Sequence, residues 1–253
     1  MIADLIAVLS GVHVIGAGEG AGLRFASPRN ADKAMRLGTY ESAIQQCITI
    51  HLAPGDVFVD IGANIGFFTL IGARRVGPRG RVYSFEPVAE NAASIVRSSQ
   101  LNSFSTIEVF AEAVGARTER CELKLAHHIG GAMLASAGTP PDLCGSVNVN
   151  VVSLDDAIDT RKLRPPALIK IDVEGAELEV LQGMRRTLQS VHPTLIYEID
   201  DETRRGLERK CRKIADFLSA AGYGLCPLPA SYDDADWHVE HILARAAKTG
   251  VSV

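Results

Sequence analysis

Five short apolar segments, four of them followed by a longer segment with helical spacing, constrain the fold most strongly. The first of them, DVFVDIG at 56–62, leads into FFTLIGARRV, and the others begin at residues 81, 106, 167 and 193. This strand–helix alternation is typical of a mostly parallel sheet with helices on both faces. The segments YGLCPLP and HVEHILARA follow each other without a helix between them. They therefore predict an antiparallel pair at one edge of an α/β sheet.

Composition limits the class of partner. Of the 253 residues 47% are hydrophobic, the net charge is −4, and no long basic run occurs. Such a chain can bury a sizeable core, and we expect no nucleic-acid partner because phosphate binding needs clustered Lys and Arg. Five cysteines without a CxxC pair indicate reduced thiols and a cytoplasmic protein. The apolar N-terminal segment contains Asp4 and His13, so we expect no membrane span.

The glycine-rich segment VIGAGEGAG at 14–22 resembles a nucleotide-binding loop at first sight. A dinucleotide loop must lead from a strand into a helix, whereas the segment that follows, LRFASPRN, alternates as a strand does. We therefore predict a short β-hairpin within an N-terminal extension, residues 1–38, and one larger domain over residues 39–253. An exposed hairpin could pair with a second chain, so the sequence leaves the oligomeric state open.

The second glycine cluster, DIGANIG, has the context of a cofactor site because it joins a strand to a helix. Asp60 lies where a pyrophosphate would pass, and Asn64 interrupts the GxGxxG spacing. Glu86 ends the next predicted strand, where an acid can bind both ribose hydroxyls. An acidic loop with a ribose-binding acid favours a cationic nucleoside, S-adenosylmethionine, over NAD. An NAD-dependent oxidoreductase on a similar sheet remains the alternative.

Several segments resemble the FkbM-type methyltransferases. They are GTYESAI, GDVFVDIGANIGFFTL, GRVYSFEP, LIKIDVEGAELEVLQGM and PTLIYEID, which together cover about residues 38 to 205. The resemblance implies a class I methyltransferase domain with a Rossmann-like, seven-stranded sheet and a reversed C-terminal hairpin. It also implies O-methylation of a sugar or natural-product hydroxyl, so that a small-molecule or glycan acceptor is the expected partner. A protein that binds the cofactor without catalysis is a further alternative.

The resemblance also implies which residues contact S-adenosylmethionine. Glu86 would hold the ribose, Glu112 would contact the adenine, and Tyr40 and Glu41 would close over the cofactor. The full set of implied cofactor-binding residues is Tyr40, Glu41, Asp60, Gly62, Ala63, Asn64, Gly66, Phe67, Thr69, Glu86, Pro87, Glu112, Ala113 and Asp172.

Carboxylates at the end of the fourth predicted strand are the first candidates for catalysis. Asp172 ends that strand and Glu174 follows in the turn, where a carboxylate can take the proton of an acceptor hydroxyl. Lys170 lies on the same strand face as Asp172 and either neutralises this pair or serves structure. Glu177 begins the next helix, where an acid complements the helix dipole without any further role.

Two histidines give a third catalytic candidate. Residues 127–146, HHIGGAMLASAGTPPDLCGS, predict an inserted loop that follows a strand-like segment, CELKLA. His128, beside His127, could reach the acceptor from this loop and act as a base, and a solvated histidine explains the residue equally well. We predict that His238 and His241 are ordinary surface or edge residues.

A metal ion is the remaining question. Glu198 and Asp200 end the fifth predicted strand, beside Asp172 and Glu174 if the strand order follows the class. Such oxygens could bind Mg²⁺. These acids are explained equally well if they support the residues that contact the ligand or cap a helix. The sequence therefore assigns no metal ligand, and Mg²⁺ is the less favoured alternative.

Overall fold

The computed structural model describes residues 11–27, 32–127, 131–232 and 237–247. In chain order, the strands of these residues are β1 (Val12–Val14), β2 (Arg24–Ala26), β3 (Val57–Ile61), β4 (Arg81–Phe85), β5 (Ile107–Phe110), β6 (Ala113–Val114), β7 (Glu119–Ala126), β8 (Met133–Leu134), β9 (Leu143–Val152), β10 (Leu168–Ile171), β11 (Thr194–Asp201), β12 (Tyr223–Pro227) and β13 (His238–Ala246). The helices are α1 (Lys33–Leu37), α2 (Ser42–His51), α3 (Phe67–Val76), α4 (Ala89–Leu101), α5 (Leu154–Arg161), α6 (Glu177–Gln182), α7 (Arg185–Ser190) and α8 (Arg204–Ala220).

The main sheet has seven strands in the order β12-β13-β11-β10-β3-β4-β5. All neighbouring pairs from β11 to β5 are parallel, whereas β13 is antiparallel to both β11 and β12. The prediction of a mostly parallel seven-stranded sheet with a reversed C-terminal hairpin is therefore confirmed. The chain leaves β3 toward β5 and returns to β10 on the other side of β3. Ligands of open α/β sheets bind at such a reversal of strand order.

Both faces of the main sheet are buried, as expected of parallel strands. Val59 and Ile61 of β3 face one hydrophobic cluster, with α5 to α8, and Phe58 faces the other, with α2 and α3. Side chains alternate along a strand, so Asp60 points to the same side as Phe58, toward α3. Among the described residues, the helices lack the combination of length and apolar character that a membrane crossing requires.

A second sheet, with the order β6-β9-β7-β8, lies between β5 and β10 in the chain. The predicted loop over residues 127–146 is wrong in part, because β8 pairs with β7 and β9 begins at Leu143. The predicted third strand, residues 106–115, is divided between the two sheets. Its first part is β5, and its last part, β6, turns away to pair with β9. CELKLA lies in β7, as its pattern indicates.

The N-terminal segment packs onto the main body. β1 and β2 pair antiparallel, and Gly18 and Gly22 in the turn between them have positive φ values of 67° and 82°. Phe25 of β2 is fully buried in the hydrophobic cluster that contains α2 and α3. The backbone N–H of Ala26 donates to Ser98 Oγ of α4 at 2.9 Å. The hairpin thus shares its core with the sheet.

Candidate active site

The carboxyl ends of β3 and β10 meet at the reversal of strand order. Gly62, just beyond β3, has φ of 75°, and its N–H donates to the carbonyl oxygen of Phe85 at 3.0 Å. A Cβ at this position would lie 1.7 Å from the backbone oxygen of Asp172. Only glycine therefore allows the loop after β3 to pass so close to the end of β10.

A cavity of about 570 Å³ opens at this edge of the main sheet, and the second sheet forms its other wall. Leu123, Leu125 and Leu134 contribute apolar surface from that wall. The acidic residues that line the cavity are Asp32, Glu86, Glu90, Asp172, Glu174 and Glu198. No Lys, Arg or His is among its described lining residues. The charge of the cavity suits a cationic ligand and opposes a phosphate-bearing one.

Glu86 is fixed at the end of β4 by the backbone. Its Oε2 accepts from the N–H of Asn64 at 2.8 Å, and its Oε1 accepts from the N–H of Val88 at 2.9 Å. Burial raises the pKa of Glu86 to about 7, and these two hydrogen bonds oppose the rise. The arrangement presents a preorganised carboxyl group to the cavity, next to the glycine turn.

Asp60 lies behind the cavity wall. Its carboxylate accepts from Thr69 Oγ1 of α3 at 2.6 Å, and its Oδ1 has no hydrogen-bond partner. Burial raises the pKa of Asp60, while Lys170, its direct neighbour on β10, lowers it. The position toward α3 follows from strand alternation. Asp60 therefore faces α3 and not the open space at the end of β3, where the sequence placed it.

Lys170 is a buried cation among carboxylates. Its Nζ donates to Asp172 Oδ2 at 2.9 Å, so of the two roles that the sequence left open for Lys170, the neutralising one is present toward Asp172. Burial acts to lower the pKa of Lys170, but Asp172, Asp60 and Glu41 together raise it above its ordinary value. Lys170 therefore remains charged, holds the carboxylate of Asp172 in place, and acts on Asp60 of β3 through its charge.

The turn after β10 carries two acids with raised pKa values. Glu174 adopts a left-handed backbone with φ of 55°, which is unusual for a residue with a side chain. Burial, reinforced by the charge of Asp172, raises the pKa of Glu174 to about 10. Glu177 accepts from the N–H of Gly175 at 2.8 Å, and burial raises its pKa to about 7. Asp172 and Glu174 line the cavity, whereas Glu177 supports the turn.

A further cluster, which the sequence did not predict, lies next to these acids. His241 of β13 is buried and directly opposite Glu198 of β11. Its Nε2 lies 2.6 Å from Glu198 Oε2 and 3.5 Å from Glu41 Oε2. Tyr232 Oη donates to the other oxygen of Glu41 at 2.5 Å. We call Glu41, Glu198 and His241 the carboxylate–histidine cluster.

Electrostatics in this cluster favour positive charge. Burial acts to lower the pKa of His241, but Glu198 and Glu41 raise it to about 9. Burial also opposes ionisation of Glu41, yet contacts with His241 and the charge of Lys170 lower its pKa. The prediction that His241 is an ordinary surface or edge residue is wrong, because β12 and not β13 forms the edge of the sheet.

The predicted site residues fall into two groups. Those that line the cavity are Tyr40, Gly62, Asn64, Glu86, Pro87, Ala113, Asp172 and Glu174. Those that do not line it are Glu41, Asp60, Ala63, Gly66, Phe67, Thr69 and Glu112. Glu112 pairs with Arg161 at 2.5 Å in the break between β5 and β6. His128 lies outside the described residues.

Some contributions to the cavity were missed by the sequence analysis. Tyr232 and Asn91 line it, and Asn91 contacts Glu86 at 3.4 Å. Glu198 also lines it, as its place at the end of the fifth predicted strand indicates. Asp200, however, accepts a short hydrogen bond from Trp237 Nε1 and does not join Asp172 and Glu174. Of the four acids considered for Mg²⁺, Asp172, Glu174 and Glu198 line the cavity and Asp200 does not.

Comparison with known proteins identifies relatives among methyltransferases. A 31-O-demethyl-FK506 methyltransferase from Streptomyces tacrolimicus is 31% identical over 161 residues, covering 53% of this chain and 62% of its own. The hexuronic acid methyltransferase AglP from Haloferax volcanii is 28% identical over 142 residues. This match covers 56% of this chain and 55% of AglP. The matched region thus spans between about half and two thirds of these relatives' length.

Solved structures show the same fold at low identity. Precorrin-6y C5,15-methyltransferase from Geobacter metallireducens superposes with a TM-score of 0.50 and 14% identity, covering 87% of this chain and 94% of its own. An rRNA methylase from Streptococcus thermophilus superposes with a TM-score of 0.52 and 9% identity. The match covers 83% of this chain and 97% of that structure. The family model described as methyltransferase FkbM domain matches residues 60–225, which favours the methyltransferase interpretation over an NAD-dependent oxidoreductase. The chain belongs to the FkbM methyltransferase family.

Proposed function

We propose that the chain is an S-adenosylmethionine-dependent O-methyltransferase that acts on a hydroxyl group of a sugar or natural product. The observation that carries this proposal is the cavity at the reversal of strand order, with a fixed Glu86 on one side and Asp172 and Glu174 on the other. Relatives that methylate hexuronic acid and 31-O-demethyl-FK506, at 28% and 31% identity, support the acceptor class.

The residues around the cavity fit S-adenosylmethionine. Glu86 has both oxygens fixed by backbone N–H groups, as an acceptor for two ribose hydroxyls requires. Gly62 leaves room where a side chain would collide with β10. The acids of the cavity favour a sulfonium and an ammonium group, and the described lining offers no basic side chain for a pyrophosphate. S-adenosylmethionine carries the two cationic groups and no phosphate.

The order of the strands suggests where the nucleoside, the methyl group and the acceptor lie along the edge of the sheet. Glu86 follows β4, and Asp172 follows β10, with the loop of β3 between them. Neighbouring strands lie about 4.8 Å apart, so the two acids are separated by about two such spacings. We assign the nucleoside to the Glu86 side and the reacting methyl group to the space between Gly62 and Asp172. The acceptor then lies toward Glu174 and Glu198.

Bound S-adenosylmethionine supplies a methyl group that is activated by the positive sulfur. The residues of the chain align the acceptor oxygen with the carbon–sulfur bond and receive its proton. Glu174 is the proposed base, because a cation bound beside it favours its ionised form. As the oxygen lone pair forms the new O–CH₃ bond, the proton moves to Glu174. The carbon–sulfur electron pair would stay with the sulfur of the cofactor, so the products would be a neutral thioether and a methyl ether.

Calorimetry with the purified chain tests cofactor binding, and mass spectrometry of reactions with neutral sugars, uronic acids and polyols tests O-methylation. Glu174→Gln should lower kcat by about 10²–10⁴-fold and leave the dissociation constant of the cofactor nearly unchanged. Glu179→Gln is the matched control, since Glu179 lies in α6, the helix that follows the turn of Glu174, and accepts from Ser136 instead of lining the cavity.

Three outcomes would overturn parts of this proposal. Absence of saturable S-adenosylmethionine binding would remove the cofactor assignment. Methylation at nitrogen only would remove the O-methyltransferase assignment. An unchanged kcat in Glu174→Gln would transfer the role of base to another group, and Asp172→Asn would then be the next variant.

A further inference from the structure

The carboxylate–histidine cluster brings three potential metal ligands together from distant parts of the chain. Glu41 precedes α2, Glu198 lies in β11, and His241 lies in β13. One ligand atom of each residue lies within 4.8 Å of the ligand atoms of the other two. Two donors bound to one ion at about 2.1 Å lie about 3.0–3.4 Å apart. The distances of 2.6 and 3.5 Å from His241 Nε2 to the two glutamates bracket this range.

Two of these atoms are buried without a hydrogen-bond partner. They are Glu41 Oε2 and His241 Nε2, on side chains that are only 1% and 4% exposed. Nε2 lies 2.6 Å from Glu198 Oε2, yet the alignment of the two groups is not that of a regular hydrogen bond. A protonated ring nitrogen would normally direct its N–H at such an oxygen. The arrangement instead resembles donors that converge on a common point.

The surroundings fix the ligand atoms in orientation. Tyr232 Oη donates to Glu41 Oε1, which leaves Oε2 directed at His241. His241 Nδ1 lies 3.5 Å from Ser231 Oγ, so the second ring nitrogen faces a polar group. Glu41 itself is held in a left-handed backbone conformation, with φ of 42°. Outer partners of this kind and local strain are typical of metal-ligand residues.

We propose that Glu41, Glu198 and His241 bind one divalent transition-metal ion at the wall of the cavity. One imidazole nitrogen and two carboxylate oxygens suit Zn²⁺, Mn²⁺ or Co²⁺ better than Mg²⁺, which prefers oxygen and water. Two carboxylates with a neutral imidazole carry a charge of −2, which a divalent ion neutralises. Lys170 does not fulfil this role, because it is paired with Asp172 and also faces Asp60.

Three protein ligands leave coordination positions free, as in catalytic sites. Glu198 lines the cavity, so an ion held by this cluster would lie next to the space assigned to the acceptor. An ion there would bind the acceptor oxygen and make its proton easier to remove. Only this consequence rests on the proposed function. Binding of the ion is a property of the three side chains.

Metal binding can be measured without any methyl transfer. The full chain, treated with EDTA and dialysed, would be titrated with Co²⁺ by visible absorption and with Mn²⁺ by electron paramagnetic resonance. We expect one ion per chain. X-ray absorption of the Zn²⁺-loaded chain should show one imidazole and otherwise oxygen ligands, without sulfur from the five cysteines.

His241→Ala and Glu41→Gln should each weaken binding by at least about tenfold, since loss of even an outer partner costs 10–100-fold. His238→Ala is the matched control, because His238 lies on the same strand and is not part of the cluster. Circular dichroism establishes whether each variant is folded. If the buried variants do not fold, the ligand set from X-ray absorption of the unmodified chain decides the question.

Several results would overturn the metal site. These are the absence of saturable binding by the unmodified chain, a sulfur-containing ligand set, or equal binding by His241→Ala and His238→Ala. In that event the cluster holds a proton on His241 instead of a metal ion. Calorimetry with S-adenosylmethionine in the presence of EDTA keeps the two proposals apart. Cofactor binding without metal binding refutes this inference alone, and metal binding without cofactor binding refutes the proposed function alone.

Discussion

The two sides of the cavity are built in different ways. On the side of β4, which we call the ribose side, Glu86 is fixed by the backbone N–H groups of Asn64 and Val88. On the side of β10 and β11, which we call the acid side, charged side chains fix each other. Lys170 there faces Asp60 and Asp172, and its charge also acts on Glu41.

The difference lies in the origin of the partners. The ribose side is built from two consecutive strand ends, so a short motif encodes it. The acid side combines residues that are up to 200 positions apart, namely Glu41 and His241. Its buried charges depend on their partners, because an unpaired ion in a low-dielectric environment is costly. The acid side should therefore be more sensitive to single substitutions that change charge, and the ribose side to changes in backbone geometry.

Gly62→Ala should have the largest effect, since it disrupts the junction of the two sides. The added Cβ would lie 1.7 Å from the Asp172 backbone oxygen, at a φ of 75°. We expect the free energy of unfolding, measured in urea, to fall by about 4 kcal/mol or more, with loss of cofactor binding.

Gly222→Ala is the control for backbone strain without a clash. Gly222 has φ of 84°, and a Cβ there would meet no atom within 4 Å. The left-handed conformation alone should cost about 1–2 kcal/mol. Equal losses in the two variants would show that the close approach of the loops is not the reason for glycine at position 62.

Lys170→Met tests the acid side. Removing the buried cation leaves Asp60 and Asp172 without their partner, and we expect a loss of about 3–5 kcal/mol at pH 8. Burial already raises the pKa of Asp60, and removing Lys170 raises it further. A carboxyl group with a higher pKa in the folded state binds protons more tightly there. Its contribution to stability is therefore lost as the pH rises, and the deficit should be smaller at pH 5.

Arg204→Met is the control for a surface cation. Arg204 contacts Glu208 and Glu240 at 3.5 and 3.6 Å, with a side chain that is 63% exposed. Exposed pairs of this kind contribute little, so stability should change by less than about 1 kcal/mol at either pH. A deficit of Lys170→Met that did not depend on pH would contradict the electrostatic explanation.

Glu86 gives the corresponding test on the ribose side. Its pKa of about 7 means that the carboxylate dominates at pH 8 and the protonated form at pH 6. Only the carboxylate accepts from both ribose hydroxyls, so affinity for S-adenosylmethionine should fall about tenfold from pH 8 to pH 6. Calorimetry at the two pH values measures this.

Glu86→Gln should bind the cofactor weakly and with little dependence on pH. Glu108→Gln, on the neighbouring strand β5 and exposed, should behave as the unmodified chain does. If the pH dependence persisted in Glu86→Gln, another acid near the cavity would be responsible for it, and Glu177, whose pKa burial also raises to about 7, would be the next residue to test.

The same difference explains what the sequence could predict. Strand–helix alternation was sufficient for the main sheet, and DIGANIG with Glu86 was sufficient to predict that Glu86 lies beside the glycine turn, because both are local patterns. The final two strands also followed, since no helix separates them. The position of Asp60 toward α3 could have been predicted as well, because it shares a strand face with Phe58.

The acid side could not be predicted in this way. His241 contacts Glu198 only because β13 pairs with β11 in one register, and neither strand determines that register by itself. Glu41 reaches the cluster through the packing of α2 against the sheet. The second sheet was missed for a similar reason, because β8 has two residues and exists only by pairing with β7.

Substitution of Glu112 should have the smallest effect on cofactor binding, and it tests how far the ribose side extends. The family resemblance implies that it contacts the adenine, and the structure pairs it with Arg161, whose guanidinium lies 4.5 Å from the centre of the Phe110 ring. Ala113 lines the cavity and Glu112 does not. Glu112→Gln should therefore change the dissociation constant of S-adenosylmethionine by less than about twofold, or about 0.4 kcal/mol.

Arg161→Met separates the two interpretations of Glu112, because it releases the carboxylate without removing it. If Glu112 only anchors α5 to the break after β5, both variants lose a little stability and bind the cofactor normally in calorimetry. If Glu112 contacts the adenine in the bound state, Glu112→Gln weakens binding and Arg161→Met does not. The second pattern would mean that the ribose side extends beyond Ala113 and that the carboxylate exchanges Arg161 for the base when the cofactor binds.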